Sequence, residues 1–196
     1  MQTVAEILDC KDLSRLHTTL DKQYDVFKRE EDQSSIFHKK VYGNYDRIIP
    51  IYKHLVRDVV RPLFSEAIVY QKAPSFRVHL PNNLAVGTFH KDKDFGHPDV
   101  EINFLIPLTK MWGTNSTWIE SEEDEGDYQP IESEPGYITM FNGANCKHGN
   151  HLNRTDYTRV SMDFRVISQS SYEPSTNGSI NTNLKFRVGE YYEIIQ

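Results

Sequence analysis

Residues 159–167 read RVSMDFRVI and change chemistry at every step: Arg159, Ser161, Asp163 and Arg165 hold the odd places, Val160, Met162, Phe164 and Val166 the even ones. Successive side chains of an extended strand point to opposite faces. A chain with this segment must therefore build a sheet that is apolar on one side and polar on the other. The apolar side belongs against a core. The polar side either meets solvent or, if the fold holds a cavity, lines it.

The same period of two runs through most of the chain after residue 67. Residues 68–70 and 75–80 are strand-like, the latter alternating Phe76, Val78 and Leu80 with Ser75, Arg77 and His79. Pro81-Asn82-Asn83 marks a turn, 84–89 a strand and 100–108 another. In the last of these, Glu101, Asn103 and Leu105 share the face suited to a wet cavity. Short strands are expected at 116–119 and 137–141, with the acidic run 120–127 between them read as a solvated loop. Asn142-Gly143 turns the chain, 168–183 is a polar loop, and a final strand is expected near 184–188. The N-terminal third has helical spacing instead. Val4, Ile7, Leu8, Leu13 and Leu16 suit short helices, interrupted or capped at Asp12 or Ser14; residues 21–44 are charged and mixed, and the run KREEDQSS within them offers little to bury. An apolar stripe marks a long helix over 45–64, with Pro50 in its first turn and Pro62 at its end. Helices first and many short strands afterwards predict a mainly β fold with flanking helices, a double-stranded β-helix or cupin-like jelly roll. One domain is expected, with helical support over 1–66, a jelly-roll core over 67–167, and a polar loop and terminal strand over 168–196.

Composition narrows the function. The 196 residues suffice for one sizeable core, and the formal net charge of -6 speaks against a general nucleic-acid binder, which needs a basic face. That sign suits a cationic or polyhydroxylated small molecule. Two cysteines, Cys10 and Cys146, do not make a secreted disulfide scaffold. The opening MQTVAEILDCKDL lacks the pattern of a signal peptide, and no apolar run reaches the roughly 18 residues of a membrane span. The expectation is a soluble, cytoplasmic protein with a small-molecule substrate and neither nucleic-acid nor membrane partners; its oligomeric state is not legible.

Residues 84–108, LAVGTFHKDKDFGHPDVEINFLIPL, carry the densest ligand chemistry. His90 and Asp92 stand two residues apart at the mouth of an apolar strand, so from extended backbone both project to one side. They can share one metal ion if a third ligand arrives from elsewhere. His148 suits that role: it lies near the end of the run YITMFNGANCKHGN and stands eleven residues before Arg159, room for a turn and entry into a neighbouring strand, where His151 stands eight before it. Rivals remain. His97-Pro98-Asp99 repeats the spacing but reads as a turn. Cys146 can ligate a metal, although one thiolate is out of character beside a carboxylate and a buried inert cysteine is commoner. Two histidines and one carboxylate make the facial triad of non-haem iron(II) oxygenases. Arg159 beside Ser161 is placed to fork onto the carboxylate of an acidic co-substrate; if Arg159 is a surface cation, Arg165 is next in line.

The order His90-x-Asp92, His148-Gly149, Asn153 and Arg159-x-Ser161, within the runs FRVHLPNN, FHKDKDFGHP, EINFLIPLT, NSTW, KHGNHLNRT and TRVSMDFRV, resembles the iron(II)- and 2-oxoglutarate-dependent oxygenases. The similarity is to the branch with streptomycin-biosynthesis-type and phytanoyl-CoA-hydroxylase-like members. The likeness runs over about residues 70–167 and includes the ending KFRVGEYY. It implies Fe(2+) on His90, Asp92 and His148, 2-oxoglutarate on Arg159 and Ser161, and O2 as oxidant. Asp92 stands where halogenating relatives carry a small residue, which implies hydroxylation or a related oxidation. Asn103 is read as a hydrogen-bond partner of the keto acid, and Arg77, Trp118 and Arg165 as substrate contacts, each with a structural role as the alternative. The expected function is a dioxygenase hydroxylating or desaturating a small polar metabolite in specialised metabolism. The alternatives are a protein or peptide side-chain hydroxylase and a cupin-like metal- or sugar-binding module without turnover.

Overall fold

The computed structural model describes residues 1–20, 34–85, 88–180 and 182–196. Helices α1 (Gln2–Leu8), α2 (Ile36–Tyr42) and α3 (Tyr45–Leu55) precede strands β1 (Ile68–Gln71), β2 (Ser75–His79), β3 (Ile102–Pro107), β4 (Thr117–Ile119), β5 (Gln129–Pro130), β6 (Thr139–Phe141), β7 (His148–Asn150), β8 (Arg159–Ser168) and β9 (Tyr192–Ile195). The larger sheet is built on β8, the alternating segment. Along one edge it pairs antiparallel with β3, Asn103 opposite Arg165 and Pro107 opposite Ser161. Its other edge is shared, β2 taking the first half with His79 opposite Arg159, and β1 the last residues with Ile68 opposite Ser168. β6 and β9 flank β3 and β1, and β5-β4-β7 form the second sheet.

Both faces of β8 are buried, which decides between the two placements that its alternation allows. Val160 and Met162 pack with Phe76 and Val78 under α1 and α2, while Phe164 and Val166 join Phe104, Tyr52 and Val56 under α3. Burying a side chain of this size stabilises by roughly 1.5–3 kcal/mol, and the Phe104 and Phe164 rings stack with centroids 5.2 Å apart. The opposite face, Arg159, Ser161, Asp163 and Arg165, lines a cavity together with Thr117 of β4 and all three residues of β7. The two antiparallel sheets thus enclose a polar interior, the double-stranded β-helix (jelly-roll) arrangement.

Helix α2 follows the run KREEDQSS within the charged, mixed stretch 21–44: Ser35 caps it and Phe37, His38 and Val41 are buried, while residues 21–33 lie outside the described residues. Three expectations change. Pro50 sits inside α3 rather than in its first turn, tolerated because it is exposed and can break only a solvent-side hydrogen bond. The 45–64 stripe then continues through a π-helical turn, Val56–Val60, into a 3-10 turn, Arg61–Leu63, that holds Pro62. No strand forms over the described part of 84–89, where the first sheet-like contact is the isolated bridge between His90 and His148. The last strand falls at Tyr192–Ile195, because 185–190 is folded into turns by Glu190, whose carboxylate accepts from Lys185 N and Arg187 Nε.

His38 offers a test of the helical layer. Its ring lies edge-on to Phe76 with Nδ1 2.7 Å from Ser35 Oγ; burial, and then the Arg77 guanidinium, pull its pKa from 6.5 to about 4. The unfolded chain therefore takes up this proton first as pH falls. Stability is complete above the unfolded value, declines between it and the folded one, and is level below both. At about pH 5 the loss is roughly 2 kcal/mol. Urea unfolding at pH 7 and 5 should show a drop smaller by about that amount in His38→Gln.

Candidate functional site

His90 and His148 are brought together by backbone. Each donates its N–H to the carbonyl of the other, at 3.0 and 2.9 Å, and the ring centroids stand 4.7 Å apart. His90 Nδ1 lies 2.8 Å from Thr88 O and His148 Nδ1 3.2 Å from Cys146 O. Carbonyls only accept, so these nitrogens carry the protons and Nε2 presents the lone pair. Asp92 opens a 3-10 turn, Asp92–Phe95, which closes on Gly96 at φ 81, a conformation suited to glycine. Its Oδ1 is 3.5 Å from His90 Nε2 and 3.6 Å from His148 Nε2. The ligand atoms of the three residues lie within 4.8 Å of one another, the one such group of histidine, cysteine and acidic side chains among the described residues.

The other oxygen of Asp92 faces away. Oδ2 accepts from Asn103 Nδ2 at 2.8 Å and from Arg165 Nε at 2.9 Å, with Arg165 Nη2 also at 2.9 Å. Burial alone would raise the Asp92 pKa, but Arg165 and then His90 outweigh it and hold the carboxyl well below its usual range. Burial holds His148 below its ordinary value, Asp92 opposing. An ionised carboxylate and a neutral imidazole are the forms that bind a metal. Two nitrogens and one anionic oxygen on one side fit a non-haem Fe(2+) ion.

The cavity measures about 280 Å³ and is also lined by Arg77, Asn103, Arg159, Ser161, Asp163 and Arg165. Arg159 is 2% exposed and its Nη1 donates to Thr117 Oγ1 at 2.7 Å. The Ser161 hydroxyl is fully buried with no hydrogen-bond partner among the described residues. A buried hydroxyl in that state is rare and suits an acceptor from outside the chain. Arg77 forks onto Asp163 at 2.6 and 3.3 Å, and Arg165 Nη1 reaches Asp163 at 3.4 Å and Gln71 Oε1 at 3.3 Å.

Arg165 and Arg77, read as substrate contacts with a structural role as the alternative, line the cavity and hold Asp92 and Asp163. Asn103 donates one amide N–H to Asp92 Oδ2. Trp118 lies off the cavity: its Nε1 donates to Gly113 O at 3.0 Å and its ring stands edge-on to His151. The preceding residue, Thr117, lines the cavity; the alternation of a short strand was the signal available for it. Of the rival ligands, His97 is 2.9 Å from Glu101, His151 packs on Phe89 and Trp118, and Cys146 is a buried free thiol whose pKa burial raises.

Residues 121–127 of the acidic run are exposed, as a solvated loop requires, but its first residue is anchored. Glu120 is 2% exposed and its carboxylate accepts the backbone N–H groups of Lys147 and Gly126. Glu123 and Asp124 bind Lys91 Nζ at 2.9 and 2.8 Å. Lys91 separates two of the converging residues and Lys147 adjoins the third, so 120–127 ties both segments together from outside.

Gly143 is closely packed beside the site. Its amide oxygen accepts from Asp92 N at 2.9 Å, and a Cβ there would meet Asn103 Cγ and Nδ2 and Phe141 Cε2 at 2.8 Å. Gly143→Ala should cost about 1–3 kcal/mol, read as a lowered thermal midpoint of the metal-free protein.

No protein-family model matches the chain. Among solved structures it resembles the carbocyclase SnoK from nogalamycin biosynthesis, described as non-heme and alpha-ketoglutarate dependent, at a TM-score of 0.55 and 12% identity over 75% of this chain and 72% of that one. The non-heme monooxygenase ThoJ in its apo form aligns at 0.51 and 13% identity over 93% and 78%. At such identities the likeness is one of fold, and it is the fold described above. The streptomycin biosynthesis protein StrG of Streptomyces griseus is 42% identical over 192 residues, 98% of this chain and 90% of that protein. At that identity over nearly its whole length, the chain belongs to the StrG family.

Proposed function

We propose that the chain is an iron(II)- and 2-oxoglutarate-dependent dioxygenase that hydroxylates or desaturates a small polar metabolite in specialised metabolism. The observation that carries this reading is the convergence of His90 Nε2, His148 Nε2 and Asp92 Oδ1 on a cavity that also presents Arg159 and the unpartnered Ser161 hydroxyl. The biosynthetic name of its relative and the chemistry named for the two fold neighbours support it.

His90, Asp92 and His148 would hold Fe(2+), which would supply oxidation of a substrate C–H bond by dioxygen coupled to conversion of 2-oxoglutarate to succinate and carbon dioxide. The protein's own part is binding and orientation. Backbone carbonyls at Thr88 and Cys146 aim both imidazoles. Arg159, braced by Thr117, and Ser161 hold the distal carboxylate of the co-substrate. The lining also has three arginines, 77, 159 and 165, against Asp92 and Asp163. With a divalent cation added, that balance favours a dianionic co-ligand over a neutral one. Leu105 and Phe141, which also line the cavity, limit the water that can reach the reacting groups.

Incubating the protein with Fe(2+), 2-oxoglutarate, oxygen and a metabolite library should release succinate with a product heavier by one oxygen or lighter by two hydrogens, and chloride should not be required. Asp92→Ala should abolish turnover, because it removes the only anionic member of the triad. A chlorinated product, or undiminished oxidation by Asp92→Ala, would overturn the reading; metal binding without succinate from any library would favour a non-catalytic module, and turnover of peptides alone a side-chain hydroxylase.

Arg159→Ala should leave metal affinity intact and weaken 2-oxoglutarate by on the order of 2–5 kcal/mol, with Arg159→Lys a partial rescue because an ammonium cannot reproduce the fork. Equal 2-oxoglutarate affinity in all three proteins, measured by calorimetry with Ni(2+) in place of iron, would remove Arg159 from the site.

A further inference from the structure

The geometry points to Arg165 and Asn103 as positioning residues that confine Asp92 to ligating an ion through one oxygen, Oδ1, by saturating Oδ2; this rests on the metal-centre reading above. A carboxylate can bind a metal through either or both oxygens. Here Oδ2 lies 2.8 Å from Asn103 Nδ2 and 2.9 Å from both Nε and Nη2 of Arg165. The hydrogen bonds from Asn103 Nδ2 and Arg165 Nε fill the two lone pairs of this oxygen, with Arg165 Nη2 in ion-pair range beside them, so Oδ2 has nothing left to offer an ion. Oδ1 instead faces the two imidazole Nε2 atoms at 3.5 and 3.6 Å.

The clamp is itself held. Arg165 Nη1 reaches Gln71 on β1 and Asp163 on its own strand, and Asp163 is gripped by Arg77 of β2. The register of β3 against β8 sets Asn103 opposite Arg165. Four strands therefore converge on one oxygen, and Arg165 and Asn103 are 6% and 1% exposed. A carboxylate kept to one oxygen would leave more of a bound ion free for co-ligands than one that bound through both.

Two effects oppose each other. A guanidinium beside a cation site repels the ion, whereas a fixed carboxylate binds it better. Arg165 stands within 3.7 Å of three carboxylates, Asp92, Asp163 and Glu101, so its charge is locally offset and positioning wins.

The test is Co(2+) titration of the metal-free protein, with the visible spectrum reporting coordination. Asn103→Leu removes a donor without changing charge, and Arg165→Lys keeps the charge without the fork. Both should raise the Co(2+) Kd by roughly 10- to 100-fold with an altered spectrum, while the metal-free melting temperature stays near that of the parent. Unchanged Kd and spectrum in both, with Co(2+) lost in His90→Ala, would sink the clamp and leave the metal centre standing. A weakened Kd that merely tracks a lower melting temperature, or comes with an unaltered spectrum, would also count against it. No binding by the parent, or equal binding by His90→Ala, would instead bring down the metal centre and the clamp with it.

Discussion

A strand buried on both faces with charges along one of them sets the terms for this molecule. An isolated ion costs several kcal/mol to bury, so the cavity face of β8 is stable only if its charges find partners. Asp163 answers Arg77 and Arg165, and Arg165 in turn answers Asp92. The network is not decoration on a finished fold. It links β2, β3 and β8 to the turn that opens with Asp92, and so fixes where that carboxylate points.

The histidines are placed by other means. His90 and His148 exchange backbone hydrogen bonds, which brings two remote segments of chain into one short bridge, and carbonyls on each segment set the imidazole tautomers. The acidic run then ties the same segments from outside through Lys91 and the backbone of Lys147. Its exposed ion pairs are individually weak. The buried Glu120 carboxylate, accepting two backbone N–H groups, is the firmer part of the tie.

This division explains how a polar interior coexists with a stable domain core. The helices and the outer face of the larger sheet supply the apolar burial, from Leu16 and Phe76 at one side to Tyr52 and Phe164 at the other. The interior between the sheets is thereby freed to hold arginines, carboxylates and histidines. The same division of labour is possible in any jelly roll of this kind, which is why membership of the StrG family and likeness of fold leave the substrate to the cavity itself.

What the sequence determined by itself was periodic or local. Alternation in 159–167 specified a two-faced strand, the helix-like stripe specified α3, and the spacing of His90 and Asp92 specified a shared direction, because each follows from backbone geometry over a few residues. It also singled out His148, Arg159 and Ser161, which the structure brings to the same cavity. Tertiary structure alone decided the rest. Whether the polar face of β8 met solvent or a cavity depended on a second sheet contributed by short strands with little signal of their own. Which carboxylates Arg165, Arg77 and Asn103 would meet depended on partners up to 94 residues away in the chain, and Thr117 rather than Trp118 lines the cavity because strand pairing sets direction. Pairings between distant residues leave no pattern in one sequence, since the charge of an arginine is the same whichever carboxylate it will meet.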